Sequence, residues 1–247
     1  MIKVIVNGYK GKMGQETVQA VKSDPELELA GRADIGDDLA GMISQAKADA
    51  VVDFTHPSVA MQNIRTITDN GACAVIGTTG FTDEDLAEIE KICEEKNVGV
   101  LIAPNFSIGA VLMMKFAAEA AKHLPNVEII EYHHDNKADA PSGTAIKTAQ
   151  LINESVGATQ TPTVESKEQL ETSSKGALVG NIRIHAVRLP GFVASQEVIF
   201  GGKGQTLSIR HDTINRECFM PGVVLACKKM ANRKGLVYGI ENLLEEN

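Results

Sequence analysis

From Ile2 to His123 the chain alternates short apolar runs, rich in valine and isoleucine, with amphipathic stretches of helix length. Ile2 to Val6, Leu27 to Ala33, Ala50 to Phe54, Ala72 to Ile76 and Val98 to Ala103 read as strands. Met13 to Lys22, Asp38 to Ala46, Val59 to Asp69, Asp83 to Lys96 and Gly109 to His123 read as helices. Strands that are almost wholly apolar must be covered on both faces, and helices between them supply the cover. Right-handed crossovers then lead to a doubly wound parallel sheet, an α/β fold. Thr82, followed by Asp83, Glu84 and Asp85, marks one helix start with a cap and with negative charge on the first turn.

After Pro125 the rhythm changes. Val127 to His133 reads as a strand and Gly143 to Ser155 as a helix, and Gly157 to Gly180 is polar and turn-rich, which predicts a mobile loop. Three strand patterns follow, Ile182 to Arg188, Phe192 to Phe200 and Thr206 to His211. Strands in succession predict antiparallel neighbours and a separate α+β unit. Cys218 to Met230 reads as a closing helix that returns to the first domain. The expected division is residues 1–127 plus 218–247 for one domain and 128–217 for the other.

Composition bounds the function. The 247 residues are 43% hydrophobic with a formal charge of −8, which disfavours a nucleic-acid surface. Cys73, Cys93, Cys218 and Cys227 form no Cys-x-x-Cys pair and no zinc spacing, and read as reduced thiols of a cytoplasmic protein. The chain opens directly into a strand pattern, so no signal peptide is expected. No apolar run approaches the roughly 20 residues of a membrane span.

The first strand ends in Asn7-Gly8-Tyr9-Lys10-Gly11-Lys12-Met13-Gly14 and a helix follows at once. Glycines in this G-x-x-G-x-x-G order let the backbone turn tightly and approach a pyrophosphate facing the N–H groups of the helix start. Asp34 closes the second strand 20 residues after Gly14, where a ribose-binding carboxylate is expected. A carboxylate favours NAD, whereas Lys10, Lys12 and Arg32 are cations that could meet the 2′-phosphate of NADP. The mixture predicts that either cofactor is accepted. Gly77-Thr78-Thr79-Gly80 and Ala103-Pro104-Asn105-Phe106-Ser107 follow the fourth and fifth strands, at the sheet edge where ligands bind.

The densest chemistry lies between Glu131 and Ala145. His133 and His134 are adjacent and so cannot both point the same way from a strand, which disfavours a metal site. Either could also be a packed structural histidine. Lys137 reads as a proton carrier, a surface lysine or a Schiff-base nucleophile. Pro141-Ser142-Gly143-Thr144 enters a helix whose free N–H groups would cradle an anion, with His134 and Lys137 beside it. Ser142 lacks a nucleophile-elbow pattern.

Taken together, the motifs resemble the 4-hydroxy-tetrahydrodipicolinate reductase family of bacterial lysine biosynthesis. The resemblance rests on Gly8-x-x-Gly11-x-Met13-Gly14, Asp53-Phe54-Thr55, Gly77-Thr78-Thr79-Gly80-Phe81 and Ala103-Pro104-Asn105-Phe106-Ser107. Above all it rests on Glu131-x-His133-His134-x-x-Lys137-x-Asp139-Ala140-Pro141-Ser142-Gly143-Thr144-Ala145. It implies a Rossmann-like cofactor domain and a hinged substrate domain whose sheets build a homotetramer. NADH or NADPH would deliver hydride to a cyclic dicarboxylate. His133 would be the acid–base residue and Lys137 the proton donor, with His134, Gly143 and Thr144 on the substrate carboxylate. Gly8, Tyr9, Lys10, Gly11, Lys12, Met13, Asp34, Gly77, Thr78, Thr79, Ala103, Pro104, Asn105 and Phe106 would hold the cofactor. Some relatives carry arginine just after the acidic residue, and here Ile35 stands there. A nucleotide-sensing dicarboxylate-binding protein and a Lys137 Schiff-base lyase are the competing readings.

Overall fold

A computed structural model describes residues 1–156 and 174–244. Its elements are β1 (Ile2–Asn7), α1 (Lys12–Ser23), β2 (Leu27–Ala33), α2 (Leu39–Ala46), β3 (Ala50–Asp53), α3 (Pro57–Asp69), β4 (Cys73–Ile76), α4 (Asp83–Lys96), β5 (Gly99–Ile102) and α5 (Ile108–Ala121). They continue with β6 (Asn126–His133), α6 (Gly143–Val156), β7 (Ala177–Val179), β8 (Ile182–Arg188), β9 (Ala194–Gly202), β10 (Gln205–Thr213), α7 (Met220–Met230), β11 (Gly235–Tyr238) and α8 (Glu241–Leu244). A 3-10 turn over Arg216–Phe219 leads into α7. Two compact units result, Met1–Ile108 with Arg216–Asn247, and Gly109–Asn215.

The first unit is a six-stranded sheet in the order β11-β5-β4-β3-β1-β2, parallel at every pairing. Every residue of β3, β4 and β5 is buried, as a sheet covered on both faces requires. On one face Ile5, Val51, Ile76 and Ile102 pack with Ile43 of α2, Ile64 and Ile67 of α3 and Ile89 of α4. On the other, α7 packs against α1 and against β1, β3, β4 and β5. Burying one isoleucine fully is worth about 1.5–3 kcal/mol, and a helix cap about 1 kcal/mol. The layered core therefore dominates stability, while caps set where helices begin. Asp38 caps α2 through the Gly41 N–H at 2.9 Å. Thr82 and Asp85 form the reciprocal capping box of α4. Lys47 and Asn97, with φ of 52° and 55°, end α2 and α4 in the left-handed region.

The second unit is a five-stranded sheet in the order β10-β9-β6-β8-β7. The β9–β10 hairpin is antiparallel, as the strand succession predicts. β8 and β9, however, are not neighbours: β6 lies between them, parallel to β8 and antiparallel to β9. The connection from Leu189 to Val193, which contains Pro190 and Gly191 (φ 98°), does not close a hairpin between them. Its Leu189 N–H bonds to the His133 carbonyl at 3.0 Å, so the chain crosses the end of β6 before turning back. α6 packs on β6, β7 and β8.

Three elements lie outside the sequence pattern, namely β7, β11 and α8. β7 falls within the stretch expected to be a loop, and residues 157–173 of that stretch lie outside the described residues. Among the described residues no helix is long and apolar enough to cross a membrane.

Candidate functional site

In the first unit the turns after β1, β3, β4 and β5 leave the same edge of the sheet, because the strands are parallel. The chain leaves Asn7 through Gly8 at a φ of 80°. A Cβ on Gly8 would lie 2.7 Å from the Phe54 carbonyl oxygen, and one on Gly14 would lie 2.2 Å from the Gly8 carbonyl oxygen. Only glycine fits either place. Gly11 stands at the N-cap of α1 and makes no side-chain cap, which leaves the first N–H groups of that helix to face an anion. Lys12 and Met13 begin the helix itself.

A buried carboxylate fixes the ends of β1 and β3. Asp53 accepts from Asn7 Nδ2 at 2.8 Å, Asn63 Nδ2 at 2.7 Å, and Thr55 N and Oγ1 at 2.9 and 2.6 Å. Next to it the Phe54 ring joins the other turns. It sits against Gly77, where a Cβ would be 2.0 Å from Phe54 Cε1. It also meets Phe106 edge-on, with centroids 5.6 Å apart. The Thr78 hydroxyl is buried and has no hydrogen-bond partner among the described residues. Such a group costs about 1–3 kcal/mol unless something satisfies it, and a polar ligand at this edge would do so. Thr79 follows it, and Ala103, Pro104 and Asn105 follow β5, with the Ala103 N–H on the Ile76 carbonyl at 2.9 Å. Glycine cradle, open helix start and orphaned hydroxyl fit a dinucleotide.

Asp34 lies against the glycine loop. Its Oδ2 accepts from the Lys10 N–H at 3.0 Å and its Oδ1 from the Ile35 N–H at 2.9 Å. These backbone hydrogen bonds, from Ile35 first and then Lys10, hold the Asp34 carboxyl below its ordinary pKa. Tyr9 gathers the cations, with Arg32 Cζ 5.2 Å and Lys10 Nζ 5.6 Å from its ring centroid. Tyr9, Lys10 and Arg32 line an open cavity of about 470 Å³ together with Gln15, Glu16 and Gln19 of α1. Lys12 is exposed and is not among the residues lining it.

In the second unit β6 delivers Glu131 and His133 to one face, two residues apart. Glu131 is fully buried and is the hub. Its Oε2 pairs with His133 Nδ1. It accepts from Arg188 Nη1 and Nη2 at 2.8 and 2.7 Å, and from the Ser142 N–H at 3.1 Å. Burial pushes the Glu131 pKa up, but the His133 and Arg188 hydrogen bonds outweigh it and hold the group below its ordinary value. Arg188, register partner of His133 across the parallel β6–β8 pairing, also donates to the Asp139 and Val187 carbonyls, each at 2.8 Å. Lys137 Nζ grips both Asp139 oxygens at 2.7 and 2.8 Å, and this hydrogen bonding leads in lowering the Asp139 pKa. The nearest charge to Lys137 is thus an anion, not the cationic neighbour that can activate a Schiff-base amine.

The helix start differs from expectation in one respect. Ser142 does not offer its own N–H to a ligand, since Glu131 accepts it, while the Ser142 hydroxyl caps the Ala145 N–H at 3.2 Å. Gly143 and Thr144 remain as the first residues of α6, and a Cβ on Gly143 would meet nothing within 4 Å. His134 is exposed, its carbonyl accepting from the Lys137 N–H at 3.2 Å. Residue patterns assigned no role to Glu131, Arg188, Asp53 or Phe54. Glu131 was detectable as a carboxylate two places from His133 on one strand. Arg188, 57 residues away from Glu131, became visible only with the pairing of β6 and β8.

Comparison with known proteins covers both units. Family models described as dihydrodipicolinate reductase, N-terminus and C-terminus, match residues 2–106 and 109–244. The 4-hydroxy-tetrahydrodipicolinate reductase of Streptococcus gordonii is 51% identical over 98% of this chain and 99% of its own. That of Syntrophomonas wolfei is 50% identical over 98% of each. A dipicolinate-bound dihydrodipicolinate reductase from a Paenisporosarcina species superposes with a TM-score of 0.89 at 42% identity, covering 98% of this chain and 99% of its own.

Proposed function

The chain belongs to the 4-hydroxy-tetrahydrodipicolinate (dihydrodipicolinate) reductase family of NAD(P)H-dependent oxidoreductases, and from that membership we propose how its residues divide the work. The reaction is the reduction of 4-hydroxy-tetrahydrodipicolinate to tetrahydrodipicolinate in lysine and diaminopimelate biosynthesis. The nicotinamide cofactor, when bound, supplies the hydride. Gly8 to Met13, with the open start of α1, hold its pyrophosphate, and Asp34 takes the ribose hydroxyls. Gly77, Thr78 and Thr79, with Ala103 to Phe106, line the nicotinamide end, where the unpartnered Thr78 hydroxyl gains a partner.

His133 is the acid–base residue, and Lys137 delivers a proton to the carbon next to the one that receives hydride. His134 and the α6 start at Gly143 and Thr144 bind a substrate carboxylate. The observation that carries this reading is the single hydrogen-bonded network from His133 through Glu131 and Arg188 to Asp139, which also grips Lys137. Two proton-bearing side chains and a helix start are thereby held in one local structure. Following NADH and NADPH oxidation on enzymatically generated substrate tests it. His133→Gln should lose about 100-fold or more in kcat with cofactor affinity kept. Full activity in that variant would sink the assigned role.

Either cofactor is accepted on this reading. Asp34 suits the free ribose of NADH, while Arg32 and Lys10, which flank Tyr9, suit the 2′-phosphate of NADPH. The assembly is a homotetramer working in the cytoplasm. In support, edge strands β10 and β7 present Leu207 and Leu178 at 41% and 53% exposure, as strands that meet other copies would.

A further inference from the structure

The Glu131 carboxylate is shut away from water, yet three donors converge on it and His133 Nδ1 meets it as well. Arg188 contributes two of them, and pairing with His133 and Arg188 holds the group below its ordinary pKa despite its burial. All four terminal N–H bonds of Arg188 are engaged, two on Glu131 and one each on the Val187 and Asp139 carbonyls. The guanidinium is therefore locked in place.

An ionised carboxylate has no hydrogen to give. Across the His133–Glu131 contact the hydrogen must sit on His133 Nδ1. In a neutral imidazole the other nitrogen, Nε2, then carries a lone pair and cannot donate. We propose that Glu131 is a positioning residue that fixes His133 in the Nδ1–H tautomer, and that Arg188 keeps Glu131 fit for this by pairing with it. The ring accordingly accepts a proton at Nε2 when neutral and gives one only as the imidazolium. Through the Ser142 N–H the same carboxylate also sets the start of α6. One buried charge thus aligns the proton-handling and the carboxylate-binding sides of the second unit.

This inference rests on the reading of His133 as the acid–base residue, and the test separates the two. In the full-length protein labelled with 15N-histidine, long-range proton–nitrogen correlation reports which ring nitrogen carries hydrogen. The expected result is a protonated Nδ1 in the neutral wild-type ring, lost or mixed in Glu131→Gln. In that variant kcat should fall about 100-fold, with KM for the cofactor within about twofold. Glu131→Gln leaves the partly buried Arg188 charge without its Glu131 partner, so Glu131→Gln with Arg188→Met, a neutral pair of similar volume, carries the same measurement if the single variant fails to fold. An Nε2–H tautomer in the wild type, or unchanged kcat in a folded Glu131 variant, would overturn the inference. A wild-type Nδ1–H tautomer with His133→Gln fully active would instead leave the tautomer lock standing and remove the catalytic reading beneath it.

Discussion

On the proposed reading the glycine loop and the His133–Thr144 segment both face an anion, but by opposite means. The loop uses backbone and absence: Gly8 and Gly14 allow approaches no side chain would permit, and Asp34 holds the loop from the surface. The second segment uses buried charge, with Glu131 and Arg188 locked together beneath His133 and the start of α6. A site made of backbone fails sterically, at single positions. One made of buried charge fails electrostatically, and takes its surroundings with it.

The largest expected effect is on the charged site. Arg188→Met, with Glu131 kept, strands a buried carboxylate and should cost roughly 3–5 kcal/mol in urea unfolding. Arg65→Met removes a pair with Glu88 that is 41% and 43% exposed, and should cost no more than about 1 kcal/mol. Equal losses would erase the distinction. Next comes Gly14→Ala, whose methyl would collide with the Gly8 carbonyl. Cofactor affinity, read from NADH fluorescence, should drop about 100-fold, with the melting of the second unit unchanged.

Acid should separate the two sites more gently. Because the Glu131 pKa is lowered in the folded state, its contribution is complete above the ordinary carboxylate value. It is lost as pH falls through the lowered one, where the unfolded chain binds the extra proton. Melting curves below roughly pH 4 should show this loss, at most about 1.4 kcal/mol per pH unit from the one group. Glu131→Gln should flatten that slope. Smallest is the effect of Lys10→Ala or Arg32→Ala, for which KM for NADPH should rise about tenfold, in keeping with a lost charge-assisted hydrogen bond of 1.5–3 kcal/mol, while KM for NADH stays. A matching rise for NADH would place the phosphate elsewhere.

The same contrast explains what could be read in advance. β3, β4 and β5 announced themselves because a strand buried on both faces leaves an unbroken apolar run. The glycine loop was legible because its constraint is local, a turn and a helix start within eight residues. β7 spans three residues, too few for a period to show, and β11, at the sheet edge, buries only Val237 of its four residues, so no run buried on both faces marks it. The insertion of β6 between β8 and β9 depends on how a five-residue connection crosses a strand end, which no pattern of apolar residues encodes. Arg188 was hidden for that reason: it sits at the end of a plain strand, and only the β6–β8 register turns it toward Glu131. The partner of the Ser142 N–H was not legible, because the acceptor that takes it is 11 residues upstream.

The return of α7 and β11 to the first unit has a consequence for how the protein is born. On a translating ribosome the glycine loop emerges early, but the helix that covers one face of its sheet follows only after Asn215. At roughly 5–20 residues per second, about 5–20 seconds of synthesis separate β5 from α7. Throughout that interval the first unit's sheet lacks α7 beside α1 on one face, and by its end the residues of the second unit have all been made. The nascent first half is the part in need of protection, and the second half is the part positioned to fold first.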